Sequence, residues 1–157
     1  MDTIVVATDG SRAGSQALAE AIDLARALAR RLLIVTIWRP LQGDFGLPYT
    51  GLPVASELVA AESEHAELTL AEAKAAAERA GLEVETVLRS GDPATEICRL
   101  AEAEHATLLV IGSHGHGVML TVLLGSVSSA VLQRATCPVV VVRAPDEAQE
   151  TPADAPA

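Results

Sequence analysis

The chain has 157 residues, one domain's worth, and half of them are apolar, which excludes a wholly disordered polymer. Only three aromatic residues are present (Trp38, Phe45, Tyr49), so the core must be built from Ala, Val, Leu and Ile, and recognition of nucleic acid by stacked rings is disfavoured. The net charge of −10 lacks the basic footprint of a DNA or RNA binder, so any anionic ligand must be held by local geometry instead of a general field.

Thr3 to Thr8 opens as a β-branched strand and ends at Asp9-Gly10-Ser11, read as a strand-to-helix turn with a capping serine. Leu18, Ile22, Ala25, Leu28 and Leu32 then recur at spacings of three and four, one apolar stripe of a helix. Leu32 to Ile37 is continuously apolar apart from Thr36, as expected of a strand covered on both faces. Three glycines and three prolines between Arg39 and Pro53 mark a loop. Val54 to Ala80 is rich in Ala, Glu and Leu and stops at Gly81, a helix with a glycine C-cap. Its six glutamates face only Lys74 and Arg79, which predicts a solvated outer face. Leu82 to Leu88 reads as a third strand, and Gly91-Asp92-Pro93 as a turn, an N-cap and a proline in the first helical turn. A third helix carries Ile97, Leu100 and Ala101, and a fourth strand runs from Thr107 to Ile111 and ends at Gly112. A last helix holds Val127, Ala130 and Val131, and Pro138 to Val142 forms the fifth strand. Residues 144–157 hold five Ala, three Pro and four acids and read as a disordered tail after a domain spanning 1–143.

Strand and helix alternate throughout, and the strands are near-continuous Val/Ile/Leu runs. That pattern predicts an α/β fold: an open, mostly parallel five-stranded sheet with helices on both faces. Such sheets bind ligands beyond the carboxyl ends of their strands, where the strand order reverses. The first and fourth strands both end in glycine-containing turns, at Asp9-Gly10 and Gly112-Ser113.

The segment after strand four runs Gly112-Ser113-His114-Gly115-His116-Gly117 and resumes at Gly125-Ser126-Val127-Ser128-Ser129. Gly112, Gly115 and Gly117 lack Cβ atoms and permit positive φ, so backbone N–H groups can converge on an anion. Gly125-Ser126 begins the last helix, whose N-terminus adds free donors and the favourable end of the helix dipole. The hydroxyls of Ser126, Ser128 and Ser129 offer further neutral donors.

The spacing Gly112-x2-Gly115-x9-Gly125-Ser126 resembles that of the universal stress protein family. The likeness extends to Val5 to Ser11, strand two, Gly91-Asp92-Pro93, Leu109 to Ser113 and Cys137 to Val141, nearly the whole chain to residue 143. It implies a Rossmann-like fold of the adenine nucleotide alpha hydrolase type. It also implies membership of the subgroup that carries the glycine pattern and binds ATP. On that resemblance Asp9 accepts from the ribose or helps hold an ATP-bound Mg2+, and Ile37 meets adenine. Gly112 lies under the ribose, and Gly115, Gly125, Ser126 and Val127 wrap the phosphates. His116 stands where the family often has Arg; it is shorter and only partly charged near neutrality. The family's strand order puts strand 138–142 at a sheet edge, where members commonly form homodimers. Four valines uninterrupted by charge would make an exposed edge there an invitation to pair.

Other chemistries find less support. There is no Walker loop, and the only lysine is Lys74. No Gly-x-Ser-x-Gly elbow occurs, and nothing is arranged as a general base beside an attacking water. At most slow ATP hydrolysis or autophosphorylation is expected. The His114-x-His116 pair supplies only two ligands, too few for a closed zinc site. Cys98 and Cys137 lack metal spacing and read as buried reduced thiols. The apolar runs are too short to cross a bilayer and no secretory leader is read before Thr3, so the expected setting is the cytoplasm, without membrane attachment. The expected function is that of an ATP-binding, ligand-dependent regulator in stress response whose protein partners are unknown. The alternative is a dimeric interaction module of the same fold that works without nucleotide.

Overall fold

A computed structural model describes residues 2–40, 53–115 and 124–145, with side chains in the second stretch described from Ser56 onward. His116, Gly117, the glycine- and proline-rich segment 41–52 and the tail from 146 lie outside the described residues. In chain order the elements are β1 (Thr3–Ala7), α1 (Arg12–Leu28), β2 (Arg31–Trp38), α2 (Pro53–Arg79), β3 (Val84–Ser90), α3 (Pro93–Ala103), β4 (Ala106–Gly112), α4 (Ser126–Arg134) and β5 (Val139–Val142). The five strands form one sheet in the order β3-β2-β1-β4-β5, and every pairing is parallel. The chain winds outward from β1 through β2 to β3, then returns to β4 on the other side. The order therefore reverses between β1 and β4.

Period-two alternation explains why the central strands are apolar throughout. Ile4, Val6, Leu32, Ile34 and Val110 point to one face, where they meet Ala17, Leu18, Ala21 and Ile22 of α1 and Leu70, Ala73 and Ala77 of α2. Val5, Leu33, Val35, Leu109 and Ile111 point to the other, against Ile97, Leu100 and Ala101 of α3 and Val131 of α4. The abundant alanines let α1 and α2 lie close to the sheet, which is how a core almost without aromatic rings fills its space. β5 lies at the edge, with all four valines partly exposed.

Local signals set the boundaries. Ser11 caps α1 by accepting from the Gly14 amide at 3.1 Å. Asp92 caps α3 by accepting from the Thr95 amide at 3.0 Å, with Pro93 in the first helical turn. Gly81 ends α2 at φ +81°, and all six glutamates of that helix are exposed.

Two expectations are corrected. The apolar stripe of α1 does not reach Leu28 and Leu32: Leu28 is 47% exposed and Leu32 is a buried residue of β2. The helix stops because Ala29 adopts the left-handed conformation and the Arg30 amide turns back to the Ala25 carbonyl. β3 begins at Val84 instead of Leu82, whose amide closes the end of α2 on the Ala77 carbonyl, and it continues to Ser90 opposite Trp38.

Candidate functional site

A cavity of about 540 Å3 opens at the carboxyl ends of β1, β2 and β4, where the strand order reverses. One end, that of β2 and α3, is apolar, walled by Val35, Ile37, Pro93 and Ile97. The other is backbone-rich, with Thr8, Asp9, Gly112, His114, Gly115 and the Gly125–Ser128 start of α4. Asp9, Ile37, Gly112, Gly115, Gly125, Ser126, Val127 and Ser128 therefore share this one cavity. His116 and Gly117 lie outside the described residues.

Each of the two turns at the cavity floor is braced by its own hydrogen bonds. Asp9 Oδ1 accepts from the Ser11 amide at 3.0 Å and from the Ser11 hydroxyl at 2.5 Å, which fixes the carboxylate's orientation. The Ser113 carbonyl accepts from the Gly125 amide at 2.7 Å and the Ser128 hydroxyl at 2.8 Å, tying the end of β4 to the start of α4. The Ser113 amide in turn donates to Val142 of β5 at 2.8 Å.

These bonds revise how the loop's donors are understood. The Gly125 amide and the Ser128 hydroxyl are already engaged by Ser113, so they brace the site. A helix has no internal partner for its first amides, and here those of Ser126, Val127 and Ser128 follow the Gly125 N-cap, with Ser126 exposed. Those three amides, with the dipole behind them, are donors of the kind that helix N-termini offer to anions.

The glycines also act differently from the expectation. Gly112, Gly115 and Gly125 do not have positive φ; the described glycines that do are Gly10, Gly81 and Gly91. What requires Gly112 and Gly115 is close approach. A Cβ on Gly112 would stand 2.7 Å from the Ala13 carbonyl carbon, so it would press β4 against the first turn of α1. A Cβ on Gly115 would stand 2.7 Å from Asp9 Oδ2, between the two turns. Gly125 is less constrained, with 3.3 Å to the Ser113 carbonyl oxygen.

The sequence reading did not assign Thr8, Gly14, Arg39, Pro93, Ile97 or His114 to ligand binding, yet all line the cavity. The available signal was positional: Arg39 follows β2 and Pro93 opens α3 after β3, so both belong to the carboxyl edge of the sheet. Arg39 reaches Asp92 Oδ1 at 3.5 Å, and Arg134 lies 3.8 Å from Asp92 Oδ2. The Thr95 hydroxyl, then its amide, and the two arginines hold the Asp92 carboxyl below its ordinary pKa. Cys98 and Cys137 are free and half-buried, and burial pushes both thiols upward. Among the described residues no group of three or more His, Cys, Asp or Glu side chains gathers as a metal site. No described helix is long and apolar enough to cross a membrane.

Comparison with known proteins supplies the lineage. The universal stress protein family profile matches residues 1–143. The universal stress protein MJ0531 of Methanocaldococcus jannaschii is 34% identical over 148 residues, covering 90% of this chain and 82% of that protein. The solved universal stress protein UspA from Lactobacillus plantarum superposes with a TM-score of 0.80 at 27% identity, covering 90% of this chain and 97% of the other. A universal stress protein solved in complex with cAMP superposes at 0.68 and 30% identity, covering 92% and 98%. Sequence and fold agree, and the chain belongs to the universal stress protein family.

Proposed function

We propose that this protein binds ATP in the cavity at the carboxyl edge of the sheet and acts as a nucleotide-dependent regulator in stress response. The carrying observation is the cavity's two-ended chemistry, an apolar wall facing a helix N-terminus, with Gly115 where a Cβ would meet the Asp9 carboxylate. The apolar end suits a purine ring, and Ile37 packs on it. Gly112 borders the ribose, Asp9 accepts from it, and the amides of Ser126 and Val127 receive the phosphates. A relative's cAMP complex supports adenine nucleotide as the ligand class. Gly115 leaves room for the phosphates, Gly125 and Ser128 brace their cradle, and His116 and Gly117 complete the loop.

A phosphate-bound Mg2+ fits the same reading. Among the described residues Asp9 is the one carboxylate lining the cavity, and Mg2+ sites commonly combine one or two carboxylates with substrate phosphates. When bound, the ion would neutralise phosphate charge, and Asp9 would hold it from the β1 side. The amide N–H groups at the head of α4 serve the acidic chain, because they attract anions without a net positive charge.

The ligand is tested by denaturing protein purified without added nucleotide and analysing what is released by mass spectrometry, alongside calorimetric titration with ATP. Micromolar or tighter ATP binding, abolished by Gly125→Val in a protein with unchanged circular dichroism, is the expected result. Unchanged affinity in a folded Gly125→Val protein would reject the site.

A second reading rests on β5. Its four partly exposed valines form the sheet edge, with β4 on one side. A homodimer paired through residues 138–142 would satisfy this edge, and such a dimer could serve as an interaction module in the cytoplasm without nucleotide.

A further inference from the structure

Among the described residues the apolar end of the cavity carries one charged side chain, Arg39, whose presence there is not explained by anion binding. The anion-binding end lies after β4 and at α4, whereas Arg39 follows β2, and β1 stands between those strands. At the usual strand spacing that separation is about 10 Å. Arg39 therefore borders the end walled by Ile37, Pro93 and Ile97.

Its position is controlled from both sides. Arg39 precedes Pro40, and a residue before proline is held to extended backbone. One residue earlier, the Trp38 carbonyl accepts from the Gly91 amide at 3.1 Å, fastening the end of β2 to the turn that opens α3. The guanidinium reaches the helix-capping Asp92 at 3.5 Å while its side chain remains 67% exposed. Asp92 is bonded to Thr95 and lies near Arg134, so it is shared, and Arg39 is tethered at the rim without being consumed by one partner.

We propose that Arg39 is a base-clamping residue: its planar guanidinium closes over the outer face of an aromatic base whose inner face rests on Ile37 and Ile97. This rests on the nucleotide reading above and names how its base end is held. An arginine is suited to the task because a delocalised planar cation stacks on rings and is weakly hydrated, whereas lysine offers a hydrated point charge. Of the chain's three aromatic residues Trp38 alone is described, and it does not line the cavity; the flat surface that Arg39 brings there is its guanidinium. The clamp acts on the base, so its contribution is independent of how many phosphates the ligand carries.

Calorimetric titration of the wild type, Arg39→Ala and Arg39→Lys with ATP, AMP and adenosine tests the assignment, with thermal melts showing that each variant folds. Cation–π contacts at partly exposed sites correspond to roughly three- to tenfold in affinity. Arg39→Ala should weaken all three ligands by a common factor in that range, and Arg39→Lys should fail to restore binding. A loss that grows from adenosine to AMP to ATP would make Arg39 a phosphate counter-charge and overturn the clamp. Full rescue by lysine or unchanged affinity in Arg39→Ala would overturn it too. These results leave the nucleotide reading intact when the wild type binds. A wild type that binds none of the three ligands overturns both.

Discussion

Gly112 and Gly115 are three residues apart, yet a methyl group would meet different obstacles at each. At Gly112 the obstacle is backbone, Ala13 and Gly14 at 2.7–2.9 Å, so Gly112→Ala must push α1 away from β4. Overpacking of this kind costs about 1–3 kcal/mol, and the expected result is a lower melting temperature. At Gly115 the obstacle is the Asp9 carboxylate, a side chain at the ligand cavity. Gly115→Ala should leave the melting temperature nearly unchanged while weakening ATP binding more than tenfold. Melts and titrations on the two variants separate these roles; a Gly112→Ala protein as stable as wild type would contradict the packing argument. The cysteines carry a third residue-level expectation. Burial raises both thiols, so less thiolate is present near neutral pH than on an exposed cysteine. Alkylation of folded protein at pH 7.5, followed by mass spectrometry, should be slower than in urea.

At the scale of elements, the start of α3 concentrates the local energetics. Asp92 accepts from the Thr95 amide and, at 2.7 Å, its hydroxyl, so Asp92→Ala should cost about 1 kcal/mol at pH 7. The carboxyl is held below its ordinary pKa in the folded state. Its charge-dependent stabilisation is therefore fully present above the unfolded pKa, about 3.9, and is lost as pH falls through the folded value. Asp92 is more than half exposed, so solvent screening keeps this contribution small. Denaturant titrations at pH 7 and pH 2 should show the wild type and Asp92→Ala converging at acid pH, and a constant difference would assign the effect to something other than the charged cap. Gly91, at φ +138°, makes the turn that delivers this cap.

Across the whole molecule, charge and topology shape the outcome together. The chain is acidic by ten charges, yet its carboxyl edge gathers the head of α4 and Arg39 around one cavity. The β5 edge lies on the far side of β4 from β1 and β2, away from the apolar end of the cavity. If it pairs with a second copy, Val141→Pro removes a backbone donor from the pairing edge or strains it. Light scattering should find the wild type dimeric at micromolar concentration and Val141→Pro monomeric, with ATP affinity little changed. A monomeric wild type, or a dimer that survives the proline, would remove β5 as the interface.

Much of this protein was legible before its coordinates, because the relevant signals are local. Capping at Ser11 and Asp92, the glycine stop at Gly81 and the two-faced apolar runs of β2 and β4 each depend on a few neighbouring residues. The spacing from Gly112 to Ser126 likewise marked the candidate loop, since a strand end and a helix start are both written in adjacent residues. What local pattern could not supply was the partner of each group. That Leu28 faces solvent and Leu32 enters a strand follows from Arg30 turning back onto Ala25. That Gly112 makes room for Ala13, that Ser128 braces Ser113, and that Arg39 and Pro93 join the cavity depend on distances between segments far apart in sequence. Such distances arise only when the sheet brings the ends of β1, β2 and β4 side by side, and a linear chain carries no measure of them.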